Sequence, residues 1–222
     1  MLVTRQSESG STPVIAIHLV YEDTYEAWSA HQSEAVRNWL AAQAFRGEKG
    51  RVVLIADPQG KLLAVVSGLG SRAAMETLSL WHGAALSDRL PEGTYEVATK
   101  LSPAETIQFA LGWEYGLYRF DRYKKVDTKS PERKQRTLVV DQAIQVTAQQ
   151  INHACSMARD LINTPASDLH PNALAQAAVD VATKFNATIR RYAGDELLKE
   201  NFPAVHAVGR AGSVAPELVD FE

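Results

Sequence analysis

The sequence predicts an α/β fold, because β-branched runs fit for strands alternate with amphipathic stretches along most of the chain, and such elements bury their apolar faces as helices layered on a sheet. Three observations carry this expectation. Val14–Val20 is a short apolar run suited to a buried strand, Ser102-Pro-Ala-Glu105 is a helix start, and the stretch from Gln142 to Ile162 draws one apolar stripe at helical spacing. With 45% hydrophobic and 22% charged residues over 222 positions, there is apolar material for one large core or two smaller ones.

Taken in order, Val14–Val20 is followed by Ser33–Phe45, which carries Val36, Trp39 and Leu40 at helical spacing and meets a stop signal at Gly47. Arg51–Ala56 and Lys61–Ser67 read as two strands joined by Asp57-Pro-Gln-Gly60. Pro58 presets φ and Gly60 tolerates positive φ, so a hairpin is expected there. Ser71 is placed to cap a helix reaching about Leu86, with Met75 and Leu78 on its inner face. Tyr95–Thr99 reads as a further strand. At Ser102 the hydroxyl can accept from the N3 amide while Glu105 reaches back to the cap amide, with Pro103 at N1, and the helix should run to about Tyr118. Thr137–Val140 is a short strand or connector.

The stripe that begins near Gln142 consists of Ile144, Ala148, Ile151, Cys155, Ala158 and Ile162. A helix of that length spans about 30 Å at 1.5 Å per residue. Pro165 ends it by disfavouring helical geometry at Thr164. Pro171 opens a helix carrying Leu174, Ala178, Val181 and Phe185. Thr188–Tyr192 and Val205–Val208 read as strands, Asp195–Lys199 as a short helix, and Leu218–Phe221 as a last strand.

A formal net charge of −3 gives no general attraction to nucleic acid or to an anionic membrane. The single cysteine, Cys155, rules out an internal disulfide and suits a reducing compartment. No apolar run approaches the roughly 20 residues of a membrane helix, and Met1 to Gly10 is polar with no signal-peptide core. The expectation is a soluble, cytoplasmic protein.

Candidate chemistry is sparse. The histidines at 18, 31, 82, 153, 170 and 206 never form the i, i+4 pair with an intervening glutamate that zinc peptidases use. His82 lies beside an apolar helical stripe and His206 within an apolar run, so packing is the reading for both. Cys155 sits on the long stripe and reads as a small hydrophobe. Gly68-Leu-Gly70 precedes Ser71, and a glycine loop feeding a helix can cradle phosphate. The dinucleotide fingerprint needs a third glycine, and position 73 is Ala, so a structural turn is expected. Between Arg119 and Arg136 there are eight Lys or Arg against three acids, Asp121, Asp127 and Glu132, interleaved with Phe120 and Tyr123. That composition suits a solvated or interdomain face better than single-stranded nucleic acid.

One run is more specific than the rest: Ala158-Arg-Asp-Leu-Ile-Asn-Thr-Pro165 followed by Asp168-Leu-His-Pro171. Together with Leu111-Gly-Trp113, Phe120-Asp-Arg-Tyr-Lys124 and Phe202-Pro-Ala-Val-His-Ala-Val-Gly-Arg210, it resembles the cytosolic leucine aminopeptidase family, over roughly the second half of the chain. The resemblance implies a macro-like N-terminal α/β domain at 1–139, a linking helix at 140–165, and the truncated start of an α/β exopeptidase domain at 166–222. It also implies a hydrolase of peptide substrates that uses two divalent metals, zinc or manganese, and assembles as a homo-oligomeric hexamer. The family's metal ligands lie in a Gly-Lys-Gly stretch followed by Phe-Asp-(Ser/Thr)-Gly-Gly, and in an Asn-Thr-Asp-Ala-Glu-Gly-Arg segment. Neither is present. Asn163-Thr-Pro-Ala-Ser-Asp168 is superficially similar to the second but has Pro165 and Ser167 where acidic ligands belong. No catalytic, cofactor-binding or metal residue is therefore assigned, no metal is expected in this stretch, and it is expected to be inactive by itself. The rival expectation is a stand-alone macro-like module binding a nucleotide or a regulatory partner.

Overall fold

The computed structural model describes residues 1–4, 13–74, 78–125 and 135–221. They divide into two compact units, Met1–Cys155 and Ser156–Glu222, the division falling inside one helix.

In the first unit, six strands form one sheet: β1 (Leu2–Val3), β2 (Val14–Tyr21), β3 (Val52–Ala56), β4 (Leu62–Gly70), β5 (Gly93–Val97) and β6 (Arg136–Val139). Their spatial order is β1-β6-β5-β2-β4-β3, and every neighbouring pair is parallel except the β3–β4 hairpin. The hairpin forms where the sequence predicts it. The Asp57 carboxylate accepts from the amides of Gln59 at 2.9 Å and Lys61 at 2.8 Å, and Gly60 takes φ +82°. On the edge strand β3, the Leu54 carbonyl accepts the indole N–H of the half-exposed Trp39 at 3.1 Å. An edge strand offers unpaired groups to other chains, and the indole occupies one of them.

Helices cover both faces of the sheet. On one side α1 (Tyr25–Ser29) and α2 (Glu34–Ala42) place Tyr25 and Leu40, with Phe45 just beyond, against Val20, Val53, Ile55 and Val66. Ser33 caps α2 by accepting from Val36 N at 3.3 Å. On the other side α3 (Leu80–Arg89) and α4 (Pro103–Leu117) bury Leu86, Phe109 and Trp113 against Ile15, Ile17 and Tyr95. Tyr95 has no exposure, its hydroxyl donates to Pro91 O at 2.8 Å, and burial pushes its ionisation up to about 12.

The capping box at α4 is formed as expected: Ser102 Oγ accepts from Glu105 N at 3.3 Å and Ser102 N donates to the Glu105 carboxylate at 2.9 Å. The expected helix from Ser71 is corrected. Residues 72–74 make only a single 3-10 turn, and α3 begins after Ser79, whose Oγ accepts from Trp81 N at 3.4 Å. Both serines are competent caps, but Ser79 is the one followed by a face of His82, Leu86 and Leu90 that can be buried. Met75 lies outside the described residues, whereas Leu78 is buried as expected.

Helices α3 and α4 approach to backbone contact. A Cβ built on Gly112 would lie 1.8 Å from Leu80 O, one on Gly83 2.2 Å from Phe109 O, and one on Gly116 2.3 Å from Ala84 O. These glycines are disfavoured by helix propensity and are required by the close approach.

Helix α5 (Gln142–Asn163) is a single helix, as its stripe predicts. The stripe is less buried than expected: Ala148 is fully covered and Ile144 packs on the first core, but Ile151 is 40% and Ile162 82% exposed. In the second unit, α6 (Pro171–Phe185) is capped by His170, whose Nδ1 accepts from Ala173 N at 3.3 Å. Strands β7 (Ile189–Ala193) and β8 (Glu217–Phe221) pair antiparallel, with α7 (Glu196–Lys199) and α8 (Pro203–Gly209) between them. The strand expected at 205–208 is thus corrected to helix. Pro203 sits at N1, where its fixed φ favours a helical start, and a four-residue apolar run has no period of its own to resist it.

Replacing Gly112 by Ala sets two effects in opposition. Helix propensity gains about 1 kcal/mol, whereas overpacking against a backbone oxygen costs about 1–3 kcal/mol or more. The clash should win, and urea unfolding should show a net loss of up to about 2 kcal/mol; an equal or higher midpoint would defeat the contact as described. A second expectation concerns Glu217, whose carboxylate receives the Arg191 guanidinium, with Nη2 to Oε1 at 2.9 Å. Hydrogen bonds from Arg191, outweighing burial, hold it below its ordinary value of 4.5. A lowered carboxylate stabilises the fold above the unfolded-state value and loses that stability as pH falls through the folded value. Melting temperature should therefore drop below about pH 4.5, and Glu217→Gln should flatten the drop; an unchanged profile in that variant would count against the pair.

Candidate functional site

In an open parallel sheet, ligands settle outside the carboxyl ends of the strands where the order reverses, here between β2 and β5. That crevice is filled from within. Thr99 Oγ1 accepts from Leu19 N at 2.8 Å and donates to Leu19 O at 3.2 Å, and Ala98 N donates to Ile17 O at 2.9 Å. The nearby N-terminus of α4 presents Glu105, so an anion would meet a carboxylate already bonded to the cap. A hollow of about 380 Å³ beside it is lined by both Glu96 and Asp141, with Lys100 the one cation among its lining residues.

Gly68 and Gly70, expected in a turn, instead complete strand β4. Gly68 N donates to Arg51 O at 2.8 Å and Gly70 N to Gly47 O at 2.8 Å, so these amides are not free to cradle phosphate. The glycines serve a close approach: a Cβ on Gly68 would lie 2.1 Å from Glu48 O.

The histidines do not converge. His18 lies tilted against Trp28, ring centroids 5.5 Å apart, and burial lowers its basicity. His31 Nδ1 lies 2.8 Å from Ala27 O, His153 is exposed on α5, and His170 is the α6 cap. His206, expected to pack, lies on α8 with Nε2 3.2 Å from the Asp195 carboxylate. His82 is 9% exposed, its Nδ1 donating to Ser79 O at 3.0 Å. Cys155 is half-buried and its sulfur accepts the Tyr115 hydroxyl at 2.8 Å. Among the described residues, no three His, Cys, Asp or Glu side chains gather as a metal ion requires. At 163–168 the chain makes a turn closed by Asp168 N to Pro165 O at 2.9 Å, with Ser167 Oγ donating to Asp168 at 3.4 Å. One carboxylate beside a proline and a serine does not fit a metal pair, and no chemical step is derived through one.

The basic segment is partly spent on local contacts. Arg119 pairs with Asp88, Lys124 with Asp121 at 2.9 Å, and Arg136 donates to Leu90 O. Residues 126–134, with Asp127 and Glu132, lie outside the described residues. In the second unit an open groove of about 660 Å³ runs between α6 and β8, lined by Met157, Leu161, Leu174, Val181, Val219 and Phe221. No sequence signal distinguished this groove, because its residues have the spacing of ordinary core. No helix among the described residues is long and apolar enough to cross a membrane.

Comparison with known proteins follows the same division. A sequence model for the M17 aminopeptidase N-terminal domain matches residues 15–134, and one for the catalytic domain of the cytosol aminopeptidase family matches residues 156–222. A probable cytosol aminopeptidase of Geobacter sp. (strain M21) is 30% identical, covering 94% of this chain and 47% of the relative. One from Corynebacterium efficiens is 26% identical, covering 85% and 39%. The chain thus spans less than half the length of these curated relatives. Among solved structures, a cytosol aminopeptidase from Coxiella burnetii aligns with TM-score 0.85 at 30% identity, over 99% of this chain and 45% of that one. A bottromycin maturation enzyme in complex with Mn shares the fold, with TM-score 0.70 at 21% identity, over 95% and 45%.

If the glycines at 68 and 70 serve only backbone approach, millimolar ADP-ribose or NAD should leave thermal melting unchanged. A specific ligand at 100 times its dissociation constant would add about 2.7 kcal/mol. A clear upward shift would reopen the nucleotide-binding alternative.

Proposed function

The chain belongs to the cytosol aminopeptidase family, and from that membership we propose that it is the N-terminal part of a metal-dependent aminopeptidase, a hydrolase that removes residues from the N-termini of peptides. The observation that carries this reading is the succession of two matches along one chain, the N-terminal domain at 15–134 and the catalytic domain at 156–222. In this reading residues 1–139 support assembly, 140–165 form the linking helix, and 166–222 open the catalytic domain. The apolar groove between α6 and β8 is then the face on which the remaining catalytic sheet and helices would pack. Exposure of 50% at Leu174, 71% at Phe185 and 50% at Phe221 supports that role, since such side chains ordinarily sit in a core.

The intact enzyme would hold two divalent cations, zinc or manganese, in a site built outside these residues, where they would activate water and polarise the scissile carbonyl. The Mn complex of the bottromycin maturation enzyme is in keeping with divalent metal use in this fold. Assembly as a hexamer and a cytoplasmic location belong to the same proposal, the latter supported by the names of the relatives.

The test joins residues 1–222 to the remaining catalytic residues of the Geobacter relative. The chimaera should hydrolyse leucine p-nitroanilide when supplied with Mn or Zn and lose activity to a chelator, while residues 1–222 alone should not hydrolyse it. Chelator-sensitive turnover by the chain alone would place a metal site within it. A folded, metal-loaded but inactive chimaera would count against the support role.

A further inference from the structure

We propose that a groove beside α3 in the first unit binds a small carboxylate with an apolar body, independently of the peptidase reading. The groove, of about 200 Å³, runs between α3 and the segment entering β3, and its lining includes Lys49, Val52, Ser67, Trp81, His82 and Arg89. On α3, positions 82, 85, 86 and 89 fall three or four apart and so share one helix face. They meet the sheet at its β3–β4 margin.

The lining has the composition of a small-molecule site, mostly apolar with a few polar groups that fix orientation. Trp81, 65% exposed, offers a flat aromatic wall, and Val52 and Leu86 provide the floor. Both formal charges at the groove are positive. Among the described residues the adjoining acids are engaged elsewhere: Glu48 accepts from Arg51 at 3.3 Å and from Arg46 N at 2.9 Å, and Asp88 pairs with Arg119. Among the described residues, Lys49 and Arg89 have no acidic partner within ion-pair distance.

His82 lines the same groove. Its Nδ1 proton is donated to Ser79 O, and Nε2 is buried with no hydrogen-bond partner among the described residues. Burial first, and then the charge of Lys49, lower the basicity of this imidazole, with the Ser79 carbonyl opposing. Lys49 and His82 line the same groove, Lys49 from the segment entering β3 and His82 from α3. The carboxylate is assigned to the Lys49 end of the groove, with Arg89 about 10 Å further along the helix, two turns away.

The probes are 3-phenylpropionate and its uncharged amide, titrated into the isotopically labelled 222-residue chain and followed by amide chemical shifts. Saturable shifts should cluster at Gly50, Ser67 and the first turns of α3, with the carboxylate bound at least fivefold more tightly than the amide. Lys49→Ala should weaken carboxylate binding at least threefold and leave the amide unaffected, and Arg89→Ala should have the smaller effect of the two. Both side chains are exposed, so neither change threatens folding. Ala85→Trp, which fills the groove from an exposed position, should abolish both. Equal affinity for the two probes, indifference to Lys49→Ala, or shifts confined to Leu174 and Phe221 in the other groove would each overturn the assignment.

Discussion

The close contact between the backbones of α3 and α4 is the constraint on which the first unit depends. Three glycines, at 83, 112 and 116, remove the side chains that would otherwise hold the helices apart. With the axes drawn together, Phe109 and Trp113 turn from the seam into the sheet, where Trp113 meets Tyr95 at 5.6 Å between ring centroids. Large buried aromatics bring much apolar area into one place. That area can be buried only if the helix carrying it lies close to the strands. The small residues and the large ones in Phe109-Ala-Leu-Gly-Trp113 are two halves of one packing solution.

A similar trade shapes the other end of the sheet. Strand β4 ends in glycines so that residues 47–51 can lie against it and bond to it, with Gly50 N reaching Gly68 O at 3.0 Å. This removes the amides a phosphate would need, while Thr99 fills the crevice between β2 and β5. The side-chain-lined margin beside α3 stays open, as does the hollow lined by Glu96 and Asp141.

Much of this organisation was legible in the sequence wherever a local signal had one physical outcome. The Asp57–Gly60 turn, the Ser102 box and the Pro171 start each act within a few residues, and each formed. Ser71 was misread because two serines could cap and the deciding factor, which following residues find a core, is tertiary. Residues 205–208 were misread because a short apolar run has no period of its own, and Pro203 decided it. The stripe on α5 gave the helix but not its burial: Ala148 found a core, whereas Ile162 did not. The groove beside α3 could not be read from the sequence, because Lys49, Ser67 and Arg89 become neighbours only through the hairpin and the helix phase.

The bond from Trp39 to the Leu54 carbonyl has a consequence for observation. An indole that is half in water yet has its N–H committed to a peptide oxygen emits from a defined environment. Any strand that added to β3 would have to displace that N–H, turning the ring toward solvent or under the newcomer. Trp39, carried by α2, is therefore a fluorophore whose N–H is tied to the outer edge of β3.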